Sequence, residues 1–223
     1  MIVWLASYPR SGNTLVRQVL RQAFGCESYS QYNDPLDIGS RPDVAAAVGH
    51  RSYQGSWQTF LEEARASSHL HLVKTHHAPQ DDAPAIYLVR DGRSAAVSFF
   101  HLLRDLRGRE GVTLEQVIEG GTPFGSWGGH LDAWQPHDRP RTLIVRFEDL
   151  ADRPQEAIRS IAGFLDRSPV AAWHNDLDRL QDLFPGFFRG GSDAANLAEM
   201  DEACRSLFAA RHGGWLRRFG YIT

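Results

Sequence analysis

The chain opens on a short apolar run, residues 2–7 (IVWLAS), that breaks into the polar, turn-rich segment SYPRSGNT. Apolar positions then return as Leu15, Val19, Leu20, Ala23 and Phe24, at the spacing of one helix face. Strand, loop and helix in that order predict the first unit of an α/β fold. Residues 27–44 mix Gly, Pro, Asp and Asn and predict an irregular excursion. Residues 56–66 (SWQTFLEEARA) predict a helix with Ser56 as N-cap. Two strand patterns follow, 70–75 (LHLVKT) and 85–90 (AIYLVR), joined by a polar, Pro-containing connection. Residues 92–105 are helical in pattern. Residues 108–129 are Gly-rich around the short helix TLEQVIEG, and 130–135 predict a further helical turn. Residues 142–147 (TLIVRF) form the fourth strand pattern, followed by FEDLADRP and a helix over 154–165. The rest, 169–223, is mostly helical, broken at 185–193 by PGFFRGGSD.

Strands alternating with helices predict a parallel sheet covered on both faces, with a helical C-terminal part. Ligands of such sheets bind beyond the carboxyl ends of the strands, and the polar motifs described next all follow a strand pattern. A chain of 223 residues with 42% hydrophobic and 23% charged residues fits one domain over 1–223. The net charge of −3 argues against nucleic-acid binding through bulk charge. Cys26 and Cys204 are far apart and lack metal-ligand spacing, as expected of free thiols in a reducing cytoplasm. No apolar run approaches the ~20 residues that span a bilayer, and the N-terminus lacks the basic region of a signal peptide. Against 23 arginines stands one lysine, Lys74, which invites a specific role for a compact, titratable ammonium.

The loop from Ser7 to Thr14 joins the first strand to the first helix. A helix start offers unpaired N–H groups and partial positive charge. Gly12 allows close backbone approach, Ser11, Asn13 and Thr14 add short polar groups, and Arg10 adds a fork. Together they make an anion cradle. The Walker pattern is absent, since no lysine follows Gly12, so a triphosphate with Mg²⁺ is a poor match.

SYPRSGNT resembles the 5′-phosphosulfate loop of the cytosolic-type sulfotransferases that use 3′-phosphoadenosine 5′-phosphosulfate (PAPS), including bacterial ones that tailor small molecules. The family's second signature, a strand-end Arg with a Ser eight residues on, is matched by Arg90 and Ser98 in YLVRDGRSAAVSFFH. The resemblance implies that these two grip the 3′-phosphate of PAPS and of its product adenosine 3′,5′-bisphosphate (PAP). FEDL at 147–150 is similar to a segment whose aromatic, here Phe147, lies near the adenine. FFRGG at 187–191 is similar to an Arg-Lys-Gly segment over the 3′-phosphate, onto which Arg189 and Gly191 carry over while Gly190 departs. The chain also departs at Arg10, where the family often has Lys, and at Leu15, where many members place a Trp.

The resemblance assigns a cation and a general base to the Lys-x-His after the second strand pattern, here Lys74 and His76. Inside a strand the two would share a face and His77 would point away. A neutral imidazole can take the proton of an acceptor hydroxyl as it attacks sulfur. An ammonium can balance charge on the sulfuryl group. No metal site is implied. The loops 27–55, 108–130 and 169–188, rich in aromatics, are the expected walls for a small-molecule acceptor, a hydroxyl or amine compound. A nucleotide-dependent kinase and a nonenzymatic nucleotide-binding module are the alternative readings.

Overall fold

The computed structural model describes residues 1–36, 38–188 and 192–223. Six strands lie in one sheet: β1 (Ile2–Ser7), β2 (Ser28–Ser30), β3 (His50–Arg51), β4 (His71–Thr75), β5 (Ala85–Val89) and β6 (Thr142–Arg146). Their spatial order is β3-β2-β4-β1-β5-β6, and every pairing is parallel. The helices are α1 (Asn13–Phe24), α2 (Pro42–Val48), α3 (Trp57–Ala66), α4 (Gly92–His101), α5 (Leu114–Glu119), α6 (Trp127–Trp134), α7 (Phe147–Asp152), α8 (Pro154–Leu165), α9 (Leu177–Leu183), α10 (Asp193–Glu199) and α11 (Glu202–Arg218).

The α/β expectation holds, and the sheet is wider than the sequence pattern predicts. The four apolar runs are β1, β4, β5 and β6. Strands β2 and β3 arise within or just after the stretch read as irregular. They are three and two residues long and polar, SYS and HR, too short for alternation to register.

Alternate residues of the strands feed two cores. Val3, Leu5, Leu72, Ile86, Leu88 and Val145 pack under α1 and α8, where α1 presents Val16, Val19, Leu20 and Ala23. Trp4, Ala6, Val73, Tyr87 and Val89 face the opposite layer, with Phe60, Phe99, Trp127, Trp134 and Phe208 from α3, α4, α6 and α11. Both faces being covered, the central strands read as near-continuous apolar runs. A third cluster joins α2 to α9 and the turn after it through Ile38, Val44, Leu180, Phe187 and Phe188.

β1 pairs with β4 in the register Leu5–Lys74 and Ala6–Thr75, and with β5 in the register Ala6–Tyr87 and Ser7–Leu88. The segments that follow all three strands therefore emerge side by side at one edge of the sheet. Gly92 seats the helix after β5: a Cβ there would lie 2.7 Å from Phe208 Cζ and closer still to the Trp127 ring. Gly92→Ala is therefore expected to destabilise the fold by about 1–3 kcal/mol through overpacking, read from the urea midpoint at unchanged slope.

Candidate functional site

At the end of β1 the chain turns through Tyr8–Gly12 into α1. Arg10 and Gly12 both adopt the left-handed region, at φ 66 and φ 96. Gly12 is required twice over, because a Cβ would also lie 2.7 Å from Phe147 Cδ2. The start of α1 is unlike most helix starts in this protein. Side chains of Ser56, Asp91, Thr113, Ser126, Ser192 and Asp201 cap α3, α4, α5, α6, α10 and α11. Helix α1 begins at Gly12 with no side-chain cap and no acidic residue in its first turn. Its first N–H groups are left to an external acceptor. Ser11 Oγ beside them is buried without a hydrogen-bond partner among the described residues. These features fit a phosphate group.

Asn13 does not aim into the cradle. Its Nδ2 donates to the Leu5 carbonyl at 2.8 Å and to Ser7 Oγ at 3.3 Å, locking the turn to β1. Thr14 is half-buried in the first turn of α1. Leu15 packs against the α1 core.

Arg90 directly follows β5 and Ser98 lies two turns into α4. The two come together with Arg10: Arg10 Nε donates to Ser98 Oγ at 3.0 Å, and Arg90 Nη1 donates to the Arg10 carbonyl at 3.1 Å. Arg10 Nη2 also donates to the Phe187 carbonyl at 2.8 Å. The Phe147 ring lies under the Arg90 guanidinium, 4.3 Å from centroid to Cζ, and so bridges Gly12 and Arg90. Arg189 and Gly191 lie outside the described residues.

Lys74 and His76 meet at the same edge, but not as strand neighbours. β4 ends at Thr75, and side chains, one from a loop and one from Thr75 itself, take over the next N–H groups. Tyr32 Oη accepts from the His76 N–H at 2.8 Å, and Thr75 Oγ1 accepts from the His77 N–H at 3.1 Å. The expected separation of His76 and His77 onto opposite faces therefore fails. Both rings contact Phe124, at 5.4 and 5.3 Å, and both contact Tyr32. Alternation stops where the ladder stops.

His76 Nδ1 lies 2.7 Å from the Ser7 carbonyl oxygen. A carbonyl only accepts, so Nδ1 carries the proton and Nε2 keeps its lone pair. Burial foremost, and then the charge of Lys74, hold the imidazole well below its ordinary pKa. His76 is neutral at neutral pH.

Lys74 has a partner that its own neighbourhood in the chain does not reveal. Its Nζ donates to both carboxylate oxygens of Asp34, at 3.0 and 3.1 Å, and Arg17 approaches the same carboxylate at 3.6 Å. Burial raises the Asp34 pKa, but the charges of Lys74 and Arg17 outweigh it and keep the carboxylate ionised. Arg17 in turn bonds Ser28 Oγ at 2.7 Å and His50 Nδ1 at 2.8 Å. The loop 31–34 thus grips three successive residues of the motif: Asp34 holds Lys74, Gln31 accepts from Thr75 Oγ1 at 2.6 Å, and Tyr32 holds His76. Asn33 and Asp34 sit at positive φ, 55 and 44, to achieve this. No sequence signal marks Asp34, and Tyr32 is expected only as one aromatic of the loop 27–55, because the topology brings both in from forty-odd residues away. His130 is also new: it is buried, bonded through Nδ1 to Tyr87 Oη at 2.7 Å, and pushed down to about 3 by burial.

A separate cavity of about 280 Å³, lined by Cys26, Tyr29, Arg51, Leu70 and Arg167 among others, contains none of these residues. Among the described residues no group of three or more His, Cys, Asp or Glu is placed to hold a metal, and no helix is long and apolar enough to cross a membrane.

A doubly covered parallel sheet with an uncapped, glycine-led helix start and two flanking arginines at its carboxyl edge defines the protein as a parallel α/β domain. The chain belongs to the sulfotransferase family, since the sulfotransferase domain model matches residues 2–182. It is 25% identical to sulfotransferase 1B1 of Mus musculus over 179 residues, 74% of this chain and 58% of that protein. It is 26% identical to sulfotransferase 1E1 of Homo sapiens over 179 residues, 74% of this chain and 59% of that protein. The matched region thus spans a little under three fifths of these curated relatives. In fold it is similar to mouse sulfotransferase SULT7A1, solved with PAP, at TM-score 0.68 and 18% identity over 98% of this chain and 88% of that one. A retinol dehydratase solved with androsterone and PAP follows at TM-score 0.66 and 19% identity, covering 96% and 80%.

His50 and His130 are held down, to about 4 and about 3, and His76 is held well below 6.5, all by burial first. Between those values and 6.5 the unfolded chain binds protons that the folded chain refuses, so acid favours unfolding. Stability is expected to fall as pH drops from about 6.5 toward 4, and His130→Gln should flatten that slope. Urea midpoints across this range check both.

Proposed function

We propose that the protein transfers the sulfuryl group of PAPS to a hydroxyl or amine of a small-molecule acceptor, releasing PAP. Residues 1–223 act as one sulfotransferase domain, and the two free cysteines suit the reducing cytoplasm. The observation that carries the reading is the juxtaposition at the end of β1. An uncapped helix start with a free Ser11 hydroxyl lies on one side of Ser7, and a neutral imidazole pinned to the Ser7 carbonyl lies on the other.

PAPS supplies an activated sulfuryl group with PAP as its leaving group. The chain's own residues supply position and charge. The start of α1 and Ser11 hold the 5′ side, with Gly12, Asn13 and Thr14 shaping the turn. Arg90 and Ser98 hold the 3′-phosphate, and Phe147, against Gly12 and under Arg90, lies near the base. Leu15 offers a weaker apolar face than a Trp. Arg189 and Gly191 complete this side on the strength of their place in the motif. His76 Nε2 takes the acceptor's proton while the acceptor's oxygen or nitrogen attacks sulfur and the bond from sulfur to the phosphate oxygen breaks. Lys74, steadied by Asp34, keeps positive charge beside the transferring group. Arg10 donates hydrogen bonds to the departing phosphate, though a guanidinium gives up no proton at neutral pH. Tyr32 and Phe124, packed on His76, favour an acceptor with a flat apolar part.

PAP is expected to stabilise the protein, by about 2.7 kcal/mol at 100 times its dissociation constant, and ATP with Mg²⁺ much less. Thermal-shift titration separates the two, and equal stabilisation by ATP favours the kinase reading. An acceptor screen with PAPS then supplies the assay for a second test. His76→Ala should lose about 10²–10⁴-fold in turnover while binding PAP as the parent does. Retained turnover in this variant moves the base elsewhere, with His77 the first alternative.

A further inference from the structure

The group expected to hold the 3′-phosphate already holds an anion of the protein itself. Asp193 Oδ1 accepts from Arg90 Nε at 2.7 Å and lies 2.5 Å from Nη2. The Ser94 hydroxyl donates to the same oxygen, and Asn196 Nδ2 donates to Ser94 Oγ at 2.9 Å. The Arg90 side chain is 9% exposed and that of Asp193 is 28% exposed. The second expected ligand, Ser98, is engaged as well, by Arg10 Nε. Nothing in the family signature requires a carboxylate here.

Physics does require something. A buried guanidinium without a counter-charge is costly, so an anion must sit on Arg90 whenever no ligand does. Asp193 supplies one oxygen to a fork that can take two. A 3′-phosphate supplies more charge and three oxygens, and so can displace it. A 3′-hydroxyl cannot, because it would leave Arg90 paired as before. The Asp193 side chain, more than a quarter exposed, can turn away from Arg90 into solvent. The Asn196–Ser94 bond and the wider contact of α10 with α4 keep the helix attached when it leaves.

We propose that Asp193 is an internal competitor for the 3′-phosphate that lowers the affinity for nucleotides phosphorylated at that position. The inference rests on the sulfotransferase reading above. Apparent affinity for PAP is then the intrinsic affinity reduced by the fraction of molecules in which Asp193 has left Arg90. A nucleotide without the 3′-phosphate does not compete for Arg90 and is untouched by Asp193.

The test is calorimetric titration of the full chain with PAP and with adenosine 5′-phosphate, on the parent, Asp193→Asn, Asp193→Ala and Asn196→Ala. Thermal melts without ligand check folding. Both Asp193 variants are expected to bind PAP about tenfold tighter or more, the equivalent of ~1.4 kcal/mol. Their affinity for adenosine 5′-phosphate should stay that of the parent. Asn196→Ala, which loosens α10 without removing the charge, should leave PAP affinity as it was. PAP affinity unchanged or weakened in both Asp193 variants overturns the proposal. So does an equal gain for both nucleotides, or a matching gain in Asn196→Ala, either of which indicates general loosening. A parent that binds no PAP overturns the sulfotransferase reading itself, and the proposal with it.

Discussion

Parallel pairing of β1 with β4 on one side and β5 on the other is the constraint from which the site follows. Neighbouring strands lie about 4.8 Å apart, and the register sets Thr75 beside Ala6 and Leu88 beside Ser7. The cradle after β1, the Lys-Thr-His segment at the end of β4 and the arginine after β5 therefore have to leave the sheet together. Each of the three is ordinary alone. In register they become one surface, and a hydrogen bond from His76 Nδ1 to the Ser7 carbonyl joins two of them across the strand gap.

Charge is arranged around that surface with the same economy. Two cations, Arg17 and Lys74, share the one carboxylate of Asp34 in a nearly dry pocket beneath it. Two positive charges against one negative leave a net positive field at the edge of the sheet. Burial foremost, and this field after it, drive His50 and His76 toward their neutral forms. Burial first, and then the same imbalance that would attract an anionic donor, keep the imidazole free of a proton. Ion pairs this deep contribute little net stability. Their value here lies in fixing Lys74 in one place.

Elements with a long apolar signature were legible in the sequence, and so was the motif order. β1, β4, β5 and β6 are apolar runs bounded by polar turns, and Ser56 caps α3 as its position predicts. β2 and β3 were not legible, since backbone pairing at the sheet edge, rather than a buried side-chain pattern, makes them strands. The His76–His77 alternation was misread because it assumed a strand two residues longer than the ladder, which Tyr32 Oη and Thr75 Oγ1 close off. Asp34 and Asp193 carry no local signal at all. Each is a lone carboxylate in a loop or at a helix start, and only topology shows which cation it meets.

The two proposed anion seats of the site differ in kind, and the difference accounts for where carboxylates are found. The seat at α1 is made of backbone N–H groups and a hydroxyl. Such dipoles are neutral as a set, and a first turn without acidic residues can stand open to water at small cost. The seat at Arg90 is made of a full charge, 7% exposed and stacked on Phe147. It cannot stand open in the same way, because a desolvated guanidinium must be paired. One seat therefore needs no internal occupant and has none in its first turn, whereas the other holds Asp193. By the same reasoning the backbone seat should discriminate by shape and the arginine seat by charge, since only the second has a resident anion to be displaced.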